Sequence, residues 1–110
     1  MNNDGLPNDA TGDTLRRLRD DGANLSKPHE LDFYVAVPSK AAAEHVGNAA
    51  TQIGFAASIS KDDEGPDWTC CCTKLMIPDY SAITDTENML DSMAKQIGGR
   101  IDGWGTVPVA

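Results

Sequence analysis

An α+β fold built on a four-stranded antiparallel sheet is predicted by three features of this 110-residue sequence. Residues 31–37 alternate apolar and polar side chains, the signature of a half-buried strand. Two longer stretches, near 40–53 and 79–98, repeat apolar residues at the helical period. An acidic turn at 61–67, "KDDEGPD", separates two further strand-like runs that should form a hairpin.

The chain is 40% hydrophobic and 24% charged, the balance of an ordinary globular domain. Residues 1–12 are polar, contain Pro7 and lack periodicity, so they are expected to form a flexible segment ahead of a single domain at 13–110. Asp13 is the expected cap of a short helix, "TLRRLRDD", with Leu15 and Leu18 on one face and Gly22 as its end. Arg16, Arg17 and Arg19 read as a solvated face balanced by Asp20 and Asp21.

The strand at 31–37 places Leu31, Phe33, Val35 and Val37 on one side, and Asp32, Tyr34 and Ala36 on the other. Ser39 caps the next helix, in which Ala42, Val46, Ala49 and Ile53 are the expected inward stripe and Gly54 the terminator. Its alanines, Ala42, Ala43, Ala49 and Ala50, suit a close approach to a sheet, and His45 falls on its flank. Residues 55–60 and 68–77 are the hairpin strands, and Pro78 ends the second. A helix from Asp79 or Ser81 to Gly98 follows, with Ile83, Leu90, Met93 and Ile97 inward and its methionines as core filler. Gly98 and Gly99 break it before a last strand, "RIDGWGTV".

Behind the leading helix the order is therefore βαββαβ, the split βαβ or ferredoxin-like arrangement. Right-handed crossovers put both long helices on one face of the sheet, make the first and third strands central, and set the last strand at an edge beside the first. The other face is left for the N-terminal helix or a partner to cover. Strict alternation in the last strand turns Ile101, Gly103, Gly105 and Val107 toward the helices and Trp104 toward the open face, beside Asp32 and Tyr34. Gly103 and Gly105 then serve close packing, and Trp104 either contacts a partner or covers the sheet against Leu15 and Leu18 of the first helix.

The formal net charge of −8 argues against general nucleic-acid binding, which relies on Lys and Arg to displace counterions, and suits a basic protein partner. No apolar run is long enough for a membrane helix, and the N-terminus lacks the basic and apolar regions of a signal peptide, so a cytoplasmic location is expected. Cys70, Cys71 and Cys72 are consecutive, so neighbours point to opposite faces of a strand and cannot converge on one ion. They read as strand residues, and no metal, cofactor or catalytic residue is expected. No nucleophile–base pair, phosphate loop or ligand cluster has recognisable spacing.

The segments "LRRLRDDGANLSKPHELDFYVAVP", "TCCCTKLMIP" and "GGRIDGWGTV" resemble the family of the regulator of ribonuclease E activity B over roughly residues 13–107, above all in Asp102, Gly103, Trp104 and Gly105. The resemblance implies an N-terminal helix on a ferredoxin-like core, and a non-enzymatic protein that binds the scaffold region of ribonuclease E and restrains RNA cleavage. Family members of that kind continue into a long acidic tail after this strand, whereas the sequence here stops at Ala110. Asp32, Tyr34, Asp102 and Trp104 are the partner-binding candidates, with Gly103 and Gly105 as structural positions. The alternatives are an acidic module for another basic protein, or a small-molecule-binding domain that uses Asp32, Tyr34 and Asp102.

Overall fold

Three helices and four strands follow one another as α1 (Ala10–Asp20), β1 (His29–Val37), α2 (Lys40–Gln52), β2 (Ala56–Lys61), β3 (Trp68–Met76), α3 (Tyr80–Lys95) and β4 (Arg100–Gly105). The computed structural model describes residues 6–110; of the expected flexible segment, residues 1–5 lie outside the described residues. The strands form one antiparallel sheet in the order β2-β3-β1-β4, so β1 and β3 are central and β4 lies beside β1, as the sequence predicts.

The alternation in β1 determines which side is the core. Leu31, Phe33, Val35 and Val37 are almost wholly buried, and the row extends backward to His29, which is equally buried. Across the ladder they face Lys74, Cys72, Cys70 and Trp68 of β3, because directly paired residues share a face. Onto this face pack Ala43, Val46 and Ala50 of α2 and Ile83, Leu90 and Ala94 of α3. Phe33 and Phe55 meet edge to face at 6.2 Å between ring centroids.

Leu15 and Leu18 of α1 join the same core cluster. The first helix therefore lies on the helical side, against α3, and does not cover the opposite face of the sheet. This removes one of the two roles foreseen for Trp104.

Several local expectations are corrected. The cap of α1 is Asp9, whose carboxylate accepts the Gly12 N–H at 2.8 Å; Asp13 lies inside the first turn. The helix begins at Ala10 because the segment before it is held in place. A side chain at Gly12 would collide with the Pro7 carbonyl, and Arg16 donates to the carbonyls of Leu6 and Pro7 while pairing with Asp13 at 2.7 Å. Arg16 is thus a tether rather than part of a solvated face.

In α2 the buried stripe is Ala43, Val46, Gly47 and Ala50; Ala42 and Ala49 flank it and Ile53 is exposed. Val46 belongs to both the expected and the observed face, and because alanines flank it on either side the sheet decides which of them turn inward. In α3, capped by Asp79, Ile83 and Leu90 point inward with Ala94, while Met93 and Ile97 sit at the border and Met89 is exposed.

Candidate functional site

Residues of β1 and β3 that turn away from the helices make up the open face. From β1 these are Glu30, Asp32, Tyr34 and Ala36, paired with Leu75, Thr73, Cys71 and Thr69. The face is paved with short side chains around one ring. Tyr34 is 37% exposed, and its neighbours Asp32 and Thr73 are joined by a Thr73 hydroxyl that donates to the Asp32 carboxylate at 2.6 Å. Burial raises the Tyr34 phenol above its ordinary value, with help from the negative charge of Asp32. At neutral pH the phenol is therefore a hydrogen-bond donor beside a carboxylate.

The third contributor, β4, departs from regular pairing. Phe33 faces Trp104 and Val35 faces Ile101, so two residues, Asp102 and Gly103, lie opposite Tyr34 alone. Gly103 has φ +108°, a conformation open to glycine and strained for other residues. This β-bulge resets the alternation. Ile101 and Trp104 both share the inward faces of Val35 and Phe33, and both pack against the core.

The expected orientation of Trp104 is corrected accordingly: it is a half-buried anchor on the helix side, not a side chain of the open face. Gly103 is the bulge residue, and Gly105 pairs with Asp32 on the open side, where an added Cβ would lie 3.9 Å from the Tyr34 ring. Glycine there keeps the flank of the ring clear. Asp102 stays on the exposed edge, 57% accessible, with Arg100 at 3.8 Å. The four candidates therefore separate: Asp32 and Tyr34 are adjacent on the open face, Asp102 lies at the bulge opposite them, and Trp104 supports the strand from behind.

Past β4 the chain crosses the start of β1. The Thr106 hydroxyl donates to the Glu30 carbonyl at 2.8 Å. His29, buried beneath, accepts the Val109 N–H on Nε2 at 3.0 Å, while its Nδ1 lies 2.9 Å from the Lys27 carbonyl. Those partners assign the ring proton to Nδ1. Glu30, Asp32 and residues 107–109 line a groove at this end of the face. The clasp is not legible in the sequence, although His29 stands two residues before Leu31 in the same alternating row, because the partner it holds is 80 positions away.

The cysteines behave as strand residues. Cys70 and Cys72 are buried with their sulfurs 3.8 Å apart, and Cys71 turns to the open side. Cys72 remains a thiol, its pKa raised by the hydrogen bond to Cys70 and by burial. Among the described residues no group of three His, Cys, Asp or Glu side chains could hold a metal ion. Among the described residues no helix is long and apolar enough to cross a membrane. His45 is exposed on α2.

Fold and surface together define a small α+β domain that presents a polar sheet face with a phenol and carboxylates. The family model described as regulator of ribonuclease activity B, RraB, matches residues 8–106, and the chain belongs to that family. The match includes the start of α1 and the whole Asp102–Gly105 segment, so it spans every element described above. No curated protein sequence matches the chain.

Proposed function

We propose that this protein regulates ribonuclease E by binding it, and that the binding surface is the open sheet face around Asp32, Tyr34 and Asp102. The observation that carries this reading is the family match across residues 8–106. The proposed partner is the non-catalytic scaffold region of the ribonuclease, contacted in the cytoplasm without direct nucleic-acid binding. A net charge of −8 supports a basic segment as target, because complementary charge accelerates encounter and resists wrong partners. The strand order and the βαββαβ sequence of elements support a ferredoxin-like reading of the domain.

In this reading each candidate has a physical role. Asp32 and Asp102 attract a cation, the phenol of Tyr34 offers apolar area and a donor, and Gly105 leaves room beside the ring. Trp104 holds the edge strand in register and acts through position. The test is titration of the purified chain with a ribonuclease E scaffold fragment at two salt concentrations, with Tyr34→Ala and Asp102→Lys alongside. Micromolar binding is expected from the wild type. Asp102→Lys should weaken it and slow association chiefly at low salt. An absence of wild-type binding would defeat the ribonuclease reading and leave an acidic module for another basic protein, which the charge balance also favours.

A further inference from the structure

The two edges of the sheet are finished differently. At β4 the edge is closed: the bulge interrupts it, and the Asp91 carboxylate of α3 accepts the outward N–H of Ile101 at 2.9 Å. At β2 nothing comparable occurs among the described residues. The strand pairs only with β3, runs six residues without proline or bulge, and is exposed except at Ile59.

The direction of its main-chain groups follows from the turn. Asp62 donates its N–H to the Asp67 carbonyl at 2.9 Å, one step beyond the Lys61–Trp68 pair. Antiparallel ladders alternate, so the N–H and C=O groups of Lys61, Ile59 and Ala57 face away from β3, toward the free edge. Three residues at two-residue spacing thus present an unfilled ladder.

Beside that ladder runs a groove of about 370 Å³, lined by Glu44, Gly47, Asn48 and Thr51 of α2 and by Ala57 and Ile59 of β2. A Cβ added at Gly47 would meet the Ala57 Cβ at 3.5 Å, an ordinary contact, so glycine leaves that part of the groove floor unfilled. The charge around the edge is mostly negative: Glu44 is in the groove, and Asp62, Asp63, Glu64 and Asp67 crowd the turn, against Lys61 on the strand.

We propose that the β2 edge is a second docking surface, which takes an extended, Lys- and Arg-rich peptide segment as a fifth strand. Main-chain bonds to Ala57, Ile59 and Lys61 supply the pairing, small apolar side chains enter the groove, and basic ones meet Glu44 and the acidic turn. A second copy of the chain is the poorer occupant, because each copy brings a net charge of −8. The inference rests on the preceding reading only in treating the protein as one that acts by binding protein.

The test uses the full chain and a ten-residue synthetic peptide that alternates arginine and valine, followed by amide hydrogen exchange. Exchange at Ala57, Ile59 and Lys61 should slow at least tenfold on peptide addition. A peptide N-methylated at alternate residues, which cannot complete the ladder, should lose that protection, and Glu44→Lys should weaken binding several-fold. Ala57→Pro removes one outward donor without touching the β3 ladder and should weaken binding tenfold; if it fails to fold, the N-methylated peptide makes the same comparison. Unchanged exchange at the three amides, or equal binding of the N-methylated peptide, overturns the proposal. So does a wild-type dimer that Ala57→Pro dissolves, which would assign the edge to a second copy. The two readings separate cleanly: a ribonuclease fragment that binds at Asp32, Tyr34 and Asp102, with no edge protection by the peptide, spares the first and sinks this one, whereas edge protection by the peptide without ribonuclease binding does the reverse.

Discussion

A glycine with φ +108° and no heavy atom within 4 Å of its missing Cβ makes no packing contribution of its own. What Gly103 supplies is the backbone turn that brings Trp104 onto the side of Phe33. Gly103→Ala should therefore cost about 1–3 kcal/mol through backbone strain alone. Trp104→Ala should cost roughly 2–4 kcal/mol, less than the ~3–5 kcal/mol of a wholly buried tryptophan. Denaturant unfolding of both variants checks the pair. If Gly103→Ala proves neutral, the bulge is not what orients the tryptophan. Gly99 is the contrasting case: there a Cβ would strike the Ala36 carbonyl, so its substitution fails by collision rather than by torsion.

Two carboxylates tie elements together, with opposite consequences for pH. Asp91 joins α3 to β4, and its pKa is held below the ordinary carboxylate range by hydrogen bonds from Lys95, at 2.8 Å, and from the Ile101 N–H. A depressed folded-state pKa contributes stability above the unfolded value, near 4, and that stability is lost as pH falls through the folded value. Asp91→Asn should lower the melting temperature at neutral pH and flatten the acid limb of the stability curve. Glu87 of α3 faces α1; burial raises its pKa, the Thr11 hydroxyl that donates to it at 3.4 Å opposes the rise, and Asp9 adds to it. The sign reverses here. A raised carboxylate favours the folded state at low pH, and that advantage disappears as pH climbs through the folded value. Glu87→Gln should accordingly raise the melting temperature at pH 7, with the gain vanishing below pH ~4, where glutamate is protonated in both states. Thermal melts across pH distinguish the two: equal slopes for both variants would refute the assignment.

At the scale of the whole chain, seventeen acidic against nine basic residues make self-repulsion a general property of the folded state. Raising ionic strength from ~10 to ~150 mM, which shortens the screening length from ~30 to ~8 Å, should stabilise the protein while slowing its association with a basic partner. Melting temperatures and association rates measured in the same buffers test both halves; a melting temperature that falls with added salt would contradict the first. The element order, the central places of β1 and β3, and the buried row from Leu31 to Val37 were all legible in the sequence, because they follow from periodicity and short connections. So was the cap at Ser39, a side chain that bonds within three residues of itself, whereas the start of α3 was open between Asp79 and Ser81 until the structure placed its cap at Asp79. Only the tertiary structure decided the orientation of Trp104, the inward face of α2, the side on which α1 lies and the clasp of His29 on Val109. Local propensity is written in spacing along the chain, but a bulge, a face among alanines, and a contact across 80 positions depend on which partner arrives opposite.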